Sequence, residues 1–189
     1  VPYDEKALCM QIGNTTNDPR VWTLIKTCIS ECISHHPAYC FTHKDDNAPT
    51  RILEWYGQDA SLRVRLRELR WGSVKGYITL THRWGNPDEY KIRLDTSSLA
   101  ELRDGVLVSA LLRTLEDALH AAMELDVQHL WIDILCIIQN DEDGWRRESG
   151  IMGQIYQNGY PTYQPLQRAV RLKSCTVLVI HGVFFLGHG

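Results

Sequence analysis

Residues 129–138, His129-Leu130-Trp131-Ile132-Asp133-Ile134-Leu135-Cys136-Ile137-Ile138, form a nearly continuous apolar run with one carboxylate in its middle. A strand with one wet face alternates polar and apolar residues, whereas a continuous run is how a strand buried on both faces of a parallel sheet reads. Helices must then lie above and below it. Within 111–125, Leu111, Leu112, Leu115, Leu119, Ala122 and Met123 share one helical arc, and Arg113, Glu116, Asp117 and Glu124 share the other. Thr114 and Asp117 resemble a capping pair inside that window, which offers a later start for the helix. A further helix is expected over 145–158, after the polar break Gln139-Asn140-Asp141-Glu142-Asp143-Gly144. A short apolar strand at 77–81 completes a βαβ unit. The expected fold is α/β, a mostly parallel sheet flanked by helices.

Composition narrows the function classes. A chain of 189 residues suits one compact domain that buries roughly 70% of its unfolded-state surface. Twenty Lys+Arg against 23 Asp+Glu give a net charge of −3, and the pI is near 6.2, which argues against a whole-surface polyanion binder but leaves room for a local basic patch; no nucleic-acid partner is expected. No apolar run reaches the length of a membrane span. Val1-Pro2-Tyr3-Asp4-Glu5 has neither the basic nor the apolar region of a secretory signal, and the missing initial Met reads as a fragment or a processed chain. Six cysteines, at 9, 28, 32, 40, 136 and 175, are then expected as reduced thiols in a cytoplasmic protein.

Asp18-Pro19 can cap and start a helix carrying Trp22, Ile25, Ile29, Cys32 and Ile33 on one arc and ending near His35-His36-Pro37. Strands are expected at 51–56 and 62–69, the second with Arg63, Arg65 and Arg67 on one face and Leu62, Val64 and Leu66 on the other. The arginine face reads first as a solvated strand face and second as an anion-binding strip. Cys28, Cys32, His35, His36, Cys40 and His43 are dense enough to invite zinc, but their spacing fits no standard finger, and buried thiols explain Cys28 and Cys32. No metal site is therefore expected. Neither a glycine-rich phosphate loop, a GxSxG elbow nor an HExxH motif is present.

Four features carry chemistry. At about 100° per residue, Trp145, Met152 and Tyr156 fall on one line of the last helix, with Ile151 and Ile155 beside them, and Glu148 lies inside that apolar arc. A carboxylate facing the sheet is costly unless paired, so Glu148 is either a functional acid or a rim and first-turn carboxylate favoured by the helix dipole. Asp133, inside its apolar run, must accept hydrogen bonds or hold a ligand. His82, Arg83 and Trp84 follow the 77–81 strand, where open α/β sheets bind ligands. They suit an anionic or hydroxyl-rich ligand with a planar ring, or else a structured turn with Trp84 plugging the core. Arg51, opening the first strand, can pair with any of these carboxylates.

Several of these segments resemble one family. Tyr77-Ile78-Thr79-Leu80-Thr81-His82-Arg83-Trp84-Gly85, Leu112-Arg113-Thr114-Leu115-Glu116-Asp117-Ala118, 130–139, and Asp143-Gly144-Trp145-Arg146-Arg147-Glu148-Ser149 with Met152 and Ile155-Tyr156 resemble blocks of the fungal heterokaryon-incompatibility (HET) domain. The resemblance covers roughly 20–158, with Thr81, Arg83 and Gly144 departing from the usual pattern. It implies three parts: an N-terminal helical lead-in with the Cys/His segment over 1–48, a HET-like α/β domain over 49–159, and an unassigned tail over 160–189. That tail reads as a domain cut short or a read-through. The resemblance further implies an effector of non-self recognition and regulated cell death, acting with proteins of a recognition pathway. HET domains bear a distant likeness to Toll/interleukin-receptor (TIR) domains, a flavodoxin-like class. Some of those cleave NAD at the nicotinamide–ribose bond with a glutamate in a Trp-x-x-Glu setting, which Trp145-Arg146-Arg147-Glu148 matches. Glu148 is then the catalytic candidate, with His82, Arg83, Trp84, Asp133, Trp145 and Arg51 as ligand-binding candidates and NAD as substrate rather than cofactor. The competing implication is a non-enzymatic module that signals by self-association.

Overall fold

The computed structural model describes residues 18–35, 49–69, 76–80, 92–159, 162–166, 175–180 and 183–188. Their elements are α1 (Pro19–His35), β1 (Arg51–Tyr56), β2 (Arg63–Glu68), β3 (Ile78–Leu80), α2 (Leu99–Asp104), β4 (Val106–Leu107), α3 (Arg113–Glu124), β5 (His129–Ile132), the single turn α4 (Asp133–Cys136), α5 (Glu142–Asn158), β6 (Thr162–Leu166), β7 (Cys175–Ile180) and β8 (Val183–His188). One sheet holds the strands in the order β4-β2-β1-β5-β3-β6-β7-β8.

The α/β class holds, but the sheet is mixed rather than mostly parallel, and so unlike the all-parallel flavodoxin arrangement. Among the described strands, β5 and β6 pair with β3 in parallel, and the remaining neighbours run antiparallel. Connection length decides this. The long crossover through α3 brings β5 beside β3 with Leu80 opposite Ile132, while the short link from Tyr56 to Arg63 can only make an antiparallel hairpin.

The long apolar run is half strand and half helix. Hydrogen bonding of β5 stops at Ile132, and Asp133 to Cys136 coil into one turn. Leu130, Trp131, Ile132, Ile134, Leu135, Cys136, Ile137 and Ile138 are all buried. Where everything is buried, apolar periodicity cannot separate a strand from a turn of helix.

Helix α1 starts as its sequence requires. Pro19 takes the first helical position and Asp18 Oδ1 accepts the Arg20 N–H at 2.9 Å. Helix α5 begins three residues earlier than expected, because the acids of the polar break form its start. Asp141 Oδ1 accepts the Gly144 N–H at 3.1 Å, and Glu142 and Asp143 fill the first turn, where the helix dipole favours negative charge. Helix α3 follows Leu112 without any side-chain cap, so Thr114 and Asp117 do not set its start. At the end of α2, Gly105 turns the chain at φ 111°, against the Tyr56 ring, where a side chain would collide.

Both faces of the sheet centre are covered. Thr79 and Trp131 are paired neighbours, so they share a face. On it α5 packs, with Tyr156 edge-on to Trp131 at 5.4 Å between ring centroids and the Tyr77 hydroxyl donating to the Ile155 carbonyl at 2.8 Å. Ile78, Leu80, Leu130 and Ile132 point the other way and are completely buried, as are Leu115, Ala118, Leu119 and Ala122 of α3. Among the described residues no helix is long and apolar enough to cross a membrane.

Truncating a zero-exposure residue of β5 should cost far more than removing a cap. Leu130→Ala is expected to lower stability by about 2–5 kcal/mol and Asp141→Ala by about 1 kcal/mol. Urea unfolding midpoints at unchanged slope measure both.

Candidate functional site

Three strand ends meet at one edge of the sheet. Because β1 runs antiparallel to β5 with Leu53 opposite Leu130, its first residue, Arg51, lies at the carboxyl end of β5. Because β3 runs parallel to β5, its last residue, Leu80, ends level with Ile132. The α4 turn caps this edge. There Asp133 Oδ1 accepts the Ile134 N–H at 2.8 Å, the Ile132 N–H approaches Cys136 Sγ at 3.4 Å, and Gln139 Nε2 donates to the Asp133 and Ile137 carbonyls at 3.2 and 2.8 Å.

Glu148 enters from α5 and is only 3% exposed. The Thr50 hydroxyl, just ahead of β1, donates to its Oε1. Its Oε2 is buried and has no hydrogen-bond partner among the described residues. Arg51 Nη1 lies 3.4 Å from both Thr50 Oγ1 and the Cys136 carbonyl oxygen, and its buried Nε has no partner among the described residues. A buried carboxylate oxygen with no partner among the described residues is a strong acceptor for a ligand hydroxyl. It can also stabilise positive charge that develops during a reaction.

The Cys136 thiol reports the same electrostatics. Burial pushes its pKa up to about 12. The Ile132 N–H acts in the opposite direction, the charges of Asp133 and Glu148 raise it further, and Arg51 lowers it. It is a neutral, structural thiol.

The structure therefore gathers Glu148, Arg51 and Asp133 at one edge, with Asp133 half-buried and its side chain turned onto the α4 backbone. Trp145 departs from the expected apolar line and is 46% exposed. Burial on α5 centres on Gly144, Glu148 and Ile155, which puts Trp145 roughly 80° around the helix from Ile155. His82, Arg83 and Trp84 lie outside the described residues. Sequence reasoning missed Thr50, although its neighbour Arg51 stood out, and gave Cys136 no role.

The arginine face is a satisfied strand face. Arg63 Nη1 donates to the Gly105 carbonyl at 2.7 Å, and Arg65 Nε pairs with Glu54 at 2.6 Å while its guanidinium covers the Tyr56 ring. Arg67 approaches the same Glu54 carboxylate at 3.7 Å. Of the Cys/His segment, His36, Cys40 and His43 lie outside the described residues. Cys28 is half-buried, and burial raises its thiol pKa. Among the described residues no group of three His, Cys, Asp or Glu side chains is placed to hold a metal.

A thiol pushed up to about 12 stays protonated and inert at neutral pH. Cys136 is expected to resist iodoacetamide at pH 8 in the folded protein and to react fully in 6 M guanidinium. Peptide-level mass spectrometry of differentially labelled cysteines checks this.

No curated protein and no solved structure matches the chain. The sequence model of the family described as heterokaryon incompatibility protein (HET) matches residues 77–177. That segment runs from the residue before β3, through α3, β5, α4, α5 and β6, into β7. With more than half of its length matched, the chain belongs to the heterokaryon incompatibility (HET) family.

Proposed function

We propose that this HET-family chain is a cytoplasmic effector of fungal non-self recognition, that it triggers regulated cell death, and that Glu148 is its catalytic carboxylate. Family membership supports a role related to heterokaryon incompatibility. The observation that carries the chemical reading is the buried Glu148 Oε2, which has no partner among the described residues where the strand ends meet.

The chemistry proposed is TIR-like NAD glycohydrolysis. Glu148 Oε2 accepts a hydrogen bond from a ribose hydroxyl, and the carboxylate stabilises the oxocarbenium-like charge on the sugar as the C–N bond breaks. Nicotinamide leaves with the bonding electrons. Water adds to the ribose carbon and releases a proton, giving ADP-ribose. Arg51 faces the anionic part of the substrate, Asp133 orients the α4 turn, and His82, Arg83, Trp84 and Trp145 are the further residues proposed to contact the ligand.

A second reading has its own observation. The Thr50–Glu148 hydrogen bond ties β1 to α5, as a purely structural carboxylate would. On this view the domain is a non-enzymatic module that signals by self-association and by contact with proteins of a recognition pathway.

The two readings separate on Glu148→Gln, which keeps the shape and removes the charge. Catalysis predicts that NAD turnover by the purified protein falls by about 10²–10³-fold, the scale for losing one transition-state contact, and that killing on expression in a fungal host is lost with it. Equal turnover in both proteins, or none in either, removes the chemistry. Killing that survives the substitution favours the self-associating module.

A further inference from the structure

The structure assigns Thr50 as the positioning residue of the Glu148 carboxylate, acting in a relay that starts at Arg51. Both residues stand upstream of the segment that the family match covers, which begins at residue 77.

The direction of the relay follows from donor and acceptor chemistry. A carboxylate only accepts hydrogen bonds and a guanidinium only donates them, while a hydroxyl does both. Thr50 Oγ1 therefore donates a hydrogen bond to Glu148 Oε1 and accepts with a lone pair from Arg51 Nη1 at 3.4 Å. The guanidinium polarises the hydroxyl, and the hydroxyl fixes one carboxylate oxygen. With Oε1 occupied, Oε2 is the oxygen left for an incoming donor. Burial separates the parts in depth: Thr50 is exposed, Arg51 half-buried and Glu148 buried. The exposed hydroxyl thus joins the half-buried guanidinium to the buried carboxylate. Among the described residues Arg51 hydrogen-bonds the oxygens of neutral groups, Thr50 Oγ1 and the Cys136 carbonyl. Its charge is available to this relay.

Placement rather than sequence distance creates the contact. Thr50 is 98 positions from Glu148. The antiparallel pairing of β1 with β5 carries the start of β1 to the edge where α5 presents Glu148. A threonine that merely filled space would tolerate valine, which has the same shape without the hydroxyl.

The positioning role rests on the reading of Glu148 as the acting carboxylate, so the test has two arms. In the full chain labelled with [δ-¹³C]glutamate, the carboxyl resonance that disappears in Glu148→Gln is that of Glu148. This resonance is expected to shift in Thr50→Val and to keep its position in Thr50→Ser. In the NAD assay, Thr50→Val is expected to lower kcat by about 10- to 100-fold with KM unchanged, the scale of one hydrogen bond to a charged group. Thr50→Ser is expected to restore it. A resonance that stays put in Thr50→Val overturns the assignment, even if Glu148→Gln abolishes NAD turnover. A Thr50-dependent resonance in a protein that does not cleave NAD upholds the relay and removes only the chemistry. Thr50→Val kinetics matching the unmodified protein also overturn the positioning role.

Discussion

A carboxylate turned toward a protein interior must find a donor, and that requirement organises this molecule. Glu148 sits on the inner face of α5 between Gly144 and Ile155, where the rest of the buried stripe is apolar or without a side chain. Left unpaired, an ionised group in that position would cost several kcal/mol. The donor comes from across the sheet: Thr50, delivered by the start of β1, satisfies one oxygen. Helix, first strand and the end of the central strand are thereby held at one edge. Among the described residues the second oxygen has no partner, and a buried polar atom in that position calls for one.

Much of the architecture was legible because single-residue chemistry sets it. Asp18-Pro19 marked the start of α1, the alternation of Arg63 to Arg67 with Val64 and Leu66 marked β2, and the helical arc placed Glu148 inward. The misreadings have physical causes as well. Total burial erased the boundary between β5 and α4, and exposed acids that looked like a loop were the cap and first turn of α5. Trp145 is a large apolar residue whose helix position lies just off the buried stripe. Size alone does not pull a side chain inward.

Strand direction and the partner of Glu148 were not legible, for a shared reason. Pairing between distant segments is set by crossover lengths and by competition among apolar faces, and neither leaves a local mark. Nothing within Pro49-Thr50-Arg51 indicates that its hydroxyl meets a residue of α5. That contact exists because β1 lies antiparallel beside β5 while β3 lies parallel on the other side. A sheet read as mostly parallel hides the relation, since strand starts and strand ends would then fall at opposite edges.

The junction after α5 has a mechanical consequence. A Cβ on Gly159 would come within 2.7 Å of Thr79 Cγ2, and one turn back the Ile155 carbonyl is held by the Tyr77 hydroxyl. The end of the helix therefore lies close against the start of β3, with no room for a side chain at Gly159. Interiors packed this densely pass displacement on rather than absorbing it. Any side chain larger than hydrogen at position 159 would therefore force the end of α5 and β3 apart.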